Sequence, residues 1–193
     1  MRAKFVITTK GKSFEDGLQE HDTDMLMLTK LNGVPLGAGP RAIDQLTNGL
    51  LTQRMEATGF NAQVGEVVSI SLPAGFHQKH VLLVGLGTTT RFDQCTLAEA
   101  IGAAVTQAIK DGSTKLSIPV VGHRLLALRL NLRGTAHIVR NAAERVLAAH
   151  PSTARFDIEF ICGPQAKRHL EKGLSIPRRQ RKDPCCLSEP VSA

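Results

Sequence analysis

The 193-residue sequence contains no tryptophan and no tyrosine, and its aromatic side chains are seven phenylalanines. Proteins that bind single-stranded nucleic acid stack bases on aromatic side chains, so this composition argues against such a surface. No apolar run approaches the ~20 residues of a membrane-spanning helix, and the apolar start at Phe5 to Ile7 is too short for a signal peptide. We therefore expect a cytoplasmic protein without membrane contacts.

Cysteine is also scarce, with four residues in the chain. Cys95 and Cys162 stand singly, and Cys185 and Cys186 are adjacent near the end of the sequence. A disulfide framework needs spaced pairs and a zinc site needs paired Cys or His ligands, and the sequence has neither pattern. We expect Cys95 and Cys162 to be small buried hydrophobes, and we predict no metal ligand and no cofactor.

The net charge of +7 is concentrated near the end of the chain. From Gly163 onward there are seven Lys or Arg against three Asp or Glu, so +4 of the charge lies in the last 31 residues. Residues 176–193 combine a charge run with Ser and Pro, which predicts a basic, disordered tail. Such a tail is typically solvated, so nucleic acid is not an expected partner, although contact with duplex phosphates stays open.

Short apolar runs separated by helical patterns indicate a single α/β domain. Val81 to Val84 is apolar at every position, which is typical of a strand covered by helices on both faces. Asp24 to Leu28 and Lys115 to Val121 are runs of the same kind. Arg155 to Ile161 alternates instead, which predicts a strand near a sheet edge with one face in water.

The helix predictions depend on signals at the helix ends. Pro40 as the first helical residue and Gly59 as a stop enclose an apolar stripe, which predicts one continuous helix. Thr96 and Glu99 have the spacing of a capping box, which predicts that the next helix begins near Thr96. Further helices are predicted over 135–149 and 164–172, whereas 122–134 fits a loop or a short amphipathic helix.

The stretch from Asp24 to Val121 resembles the N-terminal domain of the M17 (leucyl) aminopeptidases. The strings that carry the resemblance are Asp24–Leu28, the Gly/Ala/Pro-led helix over 37–59, Gly65–Val67, His80–Gly87, an alanine-rich helix and Lys115–Val121. That domain is related to the macro domain, and residues 135–174 are similar to the final helix, strand and helix of free-standing macro domains. The resemblance implies a three-layer α/β/α macro-domain-like fold with a mixed, mainly parallel central sheet over residues 1–175, followed by the tail.

The resemblance does not imply peptidase activity. In M17 enzymes the two-metal site and the catalytic Lys and Arg lie in a C-terminal domain, and nothing after Ile161 resembles its Asp/Glu-rich motifs. The sequence has no H-E-x-x-H, G-x-S-x-G or P-loop string. Gly85-Leu86-Gly87 follows a strand, but the third glycine of a dinucleotide fingerprint is missing, so NAD binding is not expected. We predict no catalytic residue and favour a non-enzymatic role.

Candidate ligand-binding residues lie at two places in the first half of the chain. Gly37, Gly39 and Arg41 open a helix, where free N–H groups and the positive end of the dipole can hold a phosphate or carboxylate. A plain helix entry is the alternative interpretation. The resemblance to ADP-ribose-binding macro domains implies an adenine-contacting role for Asp24, and a solvated residue at the start of a strand is the alternative.

A third candidate place follows a central strand, where open α/β sheets bind ligands. It contains Gly122, His123 and Arg124, and the convergent arginines of this stretch suit an anion. The leucines interspersed with these arginines suit contact with a partner equally well.

The leading hypothesis is a non-catalytic macro-like domain with a binding, regulatory or assembly role. One alternative is an ADP-ribose or nucleotide binder that uses Asp24 and the 37–41 and 122–124 loops. Another is a separated N-terminal piece of an M17 aminopeptidase that a second polypeptide completes. The expected partners are an anionic or nucleotide-like ligand, and a protein partner or further copies of the chain.

Overall fold

The computed structural model describes residues 1–10, 21–120 and 130–176. The candidate residues Gly122, His123 and Arg124 lie outside the described residues, as does the predicted tail from residue 177 onward. The prediction for 122–134 is tested only at its end, where residues 132–134 belong to a helix.

Six strands form one sheet at the centre of the described chain. They are β1 (Arg2–Thr9), β2 (Thr23–Lys30), β3 (Val67–Ser71), β4 (Gln78–Gly85), β5 (Lys115–Pro119) and β6 (Arg155–Cys162). Their order is β1-β6-β5-β2-β4-β3, and all neighbours run parallel except β3, which is antiparallel to β4. The parallel strands therefore all end on the same side, which we call the carboxyl end of the sheet.

Five helices cover the two faces of this sheet. They are α1 (Ala38–Leu46), α2 (Leu50–Thr58), α3 (Gln94–Lys110), α4 (Leu132–Ala149) and α5 (Pro164–Leu174). Buried residues of α1 and α2 pack with one face of β2 and β4 in one apolar cluster, and those of α3, α4 and α5 pack with the opposite sheet face in another. The predicted three-layer α/β/α architecture with a mixed, mainly parallel sheet is confirmed.

The two apolar runs chosen from the sequence form adjacent strands in the middle of this sandwich. Val81 to Val84 in β4 and Met25 to Leu28 in β2 are almost completely inaccessible to solvent. Their side chains alternate between the two apolar clusters, so each strand is buried on both faces. This arrangement explains why neither run shows polar alternation.

The predicted helix from Pro40 to Gly59 is wrong, because the chain forms two helices there. Asn48 and Gly49 adopt left-handed backbone conformations with φ of 52° and 84°, which interrupts the helix after Leu46. The Asp44 carboxylate then accepts hydrogen bonds from the backbone N–H and the hydroxyl of Thr52, at 3.0 and 2.6 Å. The bond from the Thr52 N–H satisfies a backbone donor in the first turn of α2, which the preceding residue Gly49 cannot cap because it has no side chain.

Two further boundary predictions are corrected. The capping box of α3 pairs Asp93 with Thr96, and the helix begins at Gln94, whereas Glu99 is an exposed residue of the second turn. β6 lies next to the edge strand β1, near the edge as predicted, but its predicted wet face is wrong because Glu159 is buried. Among the described helices, none is long and apolar enough to traverse a lipid bilayer.

Candidate functional site

A cleft of about 510 Å³ opens at the carboxyl end of the sheet, on the side covered by α3, α4 and α5. Strands β2, β5 and β6 supply part of its wall, and the connection after β4 supplies Leu86 and Phe92. Open parallel sheets bind ligands in such crevices outside the carboxyl ends of their strands. The position therefore makes this cleft the candidate binding site.

The wall of the cleft is predominantly apolar. Its described apolar residues are Met27, Leu86, Phe92, Leu97, Ile101, Ile118, Pro119, Val120, Leu130, Leu132, Val139, Phe160 and Ala166. Phe92 and Phe160 are at most 1% exposed and fixed within the larger apolar cluster. An aromatic or branched apolar group is the chemistry that such a wall accepts with the largest gain from burial.

The described part of the wall also contains four polar residues, and two of them organise the start of α4. The Asn131 carboxamide oxygen accepts a hydrogen bond from the Gly134 N–H at 2.7 Å, and the Thr135 hydroxyl donates to the Asn131 carbonyl at 3.1 Å. Thr29 and the exposed His169 are the other two. Among the described residues that line the cleft there is no lysine or arginine.

A narrow space under residues 31–37 adjoins the cleft, because Thr29 and Leu86 line both. Lys30 holds this loop down: its ammonium group donates to the Leu31 carbonyl at 2.7 Å and also to the Val34 carbonyl. Burial lowers the pKa of Lys30 below its ordinary value. The loop that leads into α1 is thus attached to the end of β2, beside the cleft.

The candidate residues at the start of α1 lie at this end of the sheet. Gly37 is the residue before the helix, and it has no side chain to cap the first turn. Gly39 is buried, whereas Arg41 is exposed and donates to the Leu36 carbonyl at 2.9 Å. The helix entry is therefore near the cleft, with the Arg41 guanidinium folded back onto the loop before it.

Asp24 lies at the opposite end of the sheet, at the start of β2. Its carboxylate accepts a hydrogen bond from the Thr114 hydroxyl at 2.9 Å and pairs with Lys79 at 3.3 Å. Burial alone would raise the pKa of Asp24, but the hydrogen bonds from Thr114 and Lys79 outweigh it and leave the pKa below its ordinary value. At about 3.3 Å per strand residue, Asp24 is roughly 20 Å from Lys30. The structure does not bring Asp24 together with Gly37, Gly39 and Arg41.

A buried polar cluster around Glu159 was missed in the sequence. The Glu159 carboxylate accepts hydrogen bonds from Ser117 at 2.6 Å and from Thr8, and it pairs with His21 at 2.7 Å and with Lys115 at 2.9 Å. Burial alone would raise the pKa of Glu159, but these partners outweigh it and hold the pKa far below its ordinary value. With every oxygen occupied and 4% exposure, the cluster has the character of a structural element.

The residues of the cleft were also missed, because apolar residues that line a cleft have the same pattern as those of the core. The only available signal was position, since Thr29, Leu86 and Pro119 stand where predicted strands end. Of the two single cysteines, Cys162 is buried and free as predicted. The prediction for Cys95 is wrong, because Cys95 is exposed in the first turn of α3.

No group of three or more His, Cys, Asp or Glu side chains within 1–10, 21–120 and 130–176 is arranged to hold a metal ion. The described wall of the cleft offers apolar contact and a few hydrogen-bonding groups.

Comparison with solved structures identifies the fold. A mutant of tomato leucine aminopeptidase superposes with a TM-score of 0.62 at 16% identity, covering 90% of this chain and 36% of that one. The Trypanosoma brucei macrodomain in complex with ADP gives 0.63 at 18% identity, covering 89% of this chain and 68% of that one. The same macrodomain has been solved in complex with ADP-ribose. The chain thus has the fold shared by macrodomains and part of a leucine aminopeptidase.

Sequence comparison identifies the family. A probable cytosol aminopeptidase of Cupriavidus pinatubonensis is 28% identical over 148 residues, which cover 75% of this chain and 29% of that protein. The chain spans less than a third of the length of the curated relatives it matches. Residues 28–149, well over half of the chain, match the model of the cytosol aminopeptidase family, N-terminal domain. The chain belongs to the cytosol aminopeptidase (M17) family, and the part of that family it represents is the N-terminal domain.

Proposed function

We propose that this chain is a macro-like binding domain that takes a nucleotide-like ligand, with the base in the cleft at the carboxyl end of the sheet. The observation that carries the proposal is the apolar cleft itself, beside an uncapped helix start. Binding, without hydrolysis of peptides by this domain, is the proposed role.

The base is the part of a nucleotide that suits the cleft. A purine is flat and largely apolar, and the volume of about 510 Å³ lies within the range of small-molecule sites. The half-buried side chains of Val120, Leu130 and Leu132 offer apolar surface to the ring, and Thr29 and Asn131 offer the few polar atoms that orient it.

The anionic part of the ligand is proposed to lie outside the apolar wall, towards the start of α1. Backbone N–H groups in the first turn of a helix attract phosphate oxygens, and the residue before α1, Gly37, has no side chain to cap those of α1. Arg41 donates one bond to Leu36, and its guanidinium retains further N–H donors for a phosphate. The fold of the ADP and ADP-ribose complexes of the Trypanosoma brucei macrodomain supports this choice of ligand class.

Binding is tested by titration calorimetry with ADP-ribose, adenosine and ribose 5-phosphate. We expect ADP-ribose and adenosine to bind and ribose 5-phosphate to bind at least tenfold more weakly, because it lacks the base. The substitution Ala166→Phe, at a half-buried position on the cleft wall, should abolish binding by filling the cleft.

Ala98→Phe is the matched control, since Ala98 is a half-buried helical alanine that lines a different groove. It should leave the affinity within about twofold of the parent chain. Absence of heat with all three compounds, or equal loss in both variants, would contradict the proposal.

The absence of peptide hydrolysis is tested separately, with leucine anilide and added Mn²⁺ or Zn²⁺. The family match is to the N-terminal domain, and the metal-site motifs of M17 enzymes belong to a different domain. We expect no release of aniline above the protein-free rate. Turnover that co-purifies with the chain through two different columns would contradict the binding-only role.

A second candidate function is that of the N-terminal portion of a larger aminopeptidase. The observation that favours it is that the curated relatives extend well beyond the region of similarity. Sequencing the coding region on both sides tests it: an adjoining metal-site domain supports this function, and its absence removes it.

A further inference from the structure

The edge strand β1 presents apolar residues that the described chain only partly covers. β1 pairs with β6, and no other described strand lies on its outer side. Phe5, Val6 and Ile7 are consecutive and half-buried, in a strand of eight residues. A groove beside Phe5 and Ile7 also has, among its described lining residues, Lys167, Glu171, Leu174 and Ser175 near the end of α5.

The outer edge of β1 also has backbone groups available for pairing. The N–H groups of Arg2 and Lys10 donate to β6 and its flanking residue, to the Ala154 and Cys162 carbonyls at 3.1 and 3.0 Å. Because strand residues alternate in direction, the even-numbered residues face β6, and the N–H and C=O groups of Phe5 and Ile7 face outward. Unpaired strand edges pair with another strand unless they are blocked, and the apolar part of this edge is Phe5 to Ile7, between the exposed Lys4 and Thr9.

We propose that two copies of this chain associate through β1, antiparallel about a two-fold axis at Val6, so that the two sheets become continuous. In this register Phe5 of one copy pairs with Ile7 of the other, in a hydrogen-bonded pair that uses the outward backbone groups. The side chains of Lys4, Val6 and Thr8 point to the sheet face opposite that of Phe5 and Ile7. In this register Lys4 lies opposite Thr8, so no two like charges face each other next to the axis. Arg2 and Lys10 meet only at the exposed ends, where solvent and salt screen their repulsion.

The charges of α5 favour a second copy of the chain as the partner that binds in this groove. Lys167 and Glu171 are one turn apart, pair loosely with each other at 4.0 Å, are both more than half exposed, and both line the groove. A two-fold axis beside α5 places Lys167 of one copy against Glu171 of the other, and the reverse pair forms at the same time. The groove is thus self-complementary in charge as well as in backbone hydrogen bonding.

The oligomeric state of the full chain tests this interface, by sedimentation over a series of protein concentrations. We expect a species of about twice the 20.8 kDa chain mass that dissociates on dilution. Val6→Lys places two ammonium groups at the axis and should weaken the dimer at least tenfold. Lys167→Glu should weaken it about tenfold, and the double swap Lys167→Glu with Glu171→Lys should restore it.

Lys172→Glu is the control, since Lys172 is an exposed residue of the same helix that does not line the groove. It should leave the dissociation constant within about twofold. Circular dichroism of each variant establishes that the fold is retained.

Amide hydrogen exchange gives an independent readout. The Phe5 and Ile7 amides should exchange more slowly as the concentration rises, whereas those of Lys4 and Val6, which face β6, should not change. A chain that stays at 20.8 kDa at every concentration, or a dimer indifferent to Val6→Lys and to the charge swap, would overturn the proposal.

Discussion

Glu159 lies in an environment that the chemistry of a carboxylate does not predict. A carboxylate on an alternating strand is normally in water, yet this one is 4% exposed and has four side-chain partners from β1, β5 and the residues before β2. Each partner favours the ionised form, and together they compensate for the loss of hydration. The cluster therefore connects β1, β5 and β6 through side-chain hydrogen bonds and ion pairs.

The substitution Glu159→Gln tests this role. It should lower the free energy of unfolding at pH 7 by about 3 kcal/mol, because it leaves His21, Lys115 and Ser117 without the carboxylate. Asp157→Asn is the control: it affects a partly exposed pair with Arg155 and should cost less than about 1 kcal/mol. Urea denaturation followed by circular dichroism measures both, and an equal cost in the two variants would contradict the role given to Glu159.

The same variant gives a pH dependence with a defined sign. Because the folded-state pKa of Glu159 is far below its ordinary value, its stabilisation is complete above the unfolded-state pKa and is lost as the pH falls. The unfolded chain takes up the proton first, near pH 4.3, and the loss is then about 1.36 kcal/mol per pH unit. The stability difference between the parent chain and Glu159→Gln should therefore be smaller at pH 3 than at pH 7. A constant difference would contradict the ionised state of Glu159.

Gly85 is required by a close approach of backbone at the end of β4. A Cβ atom at this position would lie 2.0 Å from the Gln63 carbonyl oxygen and 2.9 Å from the Ala62 Cα. Gly85→Ala should destabilise the fold by at least about 2 kcal/mol, since backbone must move. Gly102→Ala is the control, because its Cβ would meet Val146 at 3.8 Å, and it should stabilise α3 by about 0.5–1 kcal/mol. Thermal unfolding measures both, and similar effects would show that the contact at Gly85 is unimportant.

At the scale of elements, strands were predicted better than helix ends. Met25 to Leu28 and Val81 to Val84 are buried on both faces, so their composition alone marks them as strands. The start of α3 was misplaced because both Asp93 and Thr96 can cap a helix. The extended backbone of Asp93 makes Asp93 the cap, and the sequence does not show that conformation. The break between α1 and α2 depends on the left-handed backbone of Asn48 and Gly49 and on the Asp44 carboxylate. Asp44 contacts Thr52, eight residues later, so its role is not part of a local turn pattern.

Asp44→Ala tests whether that contact determines the break. Losing the cap of α2 should lower the free energy of unfolding by about 1–2 kcal/mol. Gln45→Ala, at the exposed neighbouring position, should change it by less than about 0.5 kcal/mol. Urea denaturation distinguishes them, and equal stability of the two variants would show that the α1–α2 junction does not depend on Asp44.

At the scale of the whole molecule, the layer order followed from the alternation of strand and helix patterns, and the resemblance to the M17 N-terminal domain agreed with it. The candidate site was harder to predict. The start of α1 lies beside the cleft, because helix starts and strand ends meet at one end of a parallel sheet, whereas Asp24 stands at the other end. The cleft wall comes from elements far apart in sequence, such as Phe92, Val139 and Phe160, so local patterns do not reveal it.

The most direct test of the central claim is nitrogen–proton NMR of the labelled full chain, titrated with ADP-ribose. Binding of the base in the carboxyl-end cleft predicts saturable shifts at the amides of Thr29, Val120 and Thr135, and unchanged amides at Asp24 and Thr114. Shifts confined to Asp24 and Thr114, or no saturable shift at any ADP-ribose concentration, would contradict the assignment of this cleft as the binding site.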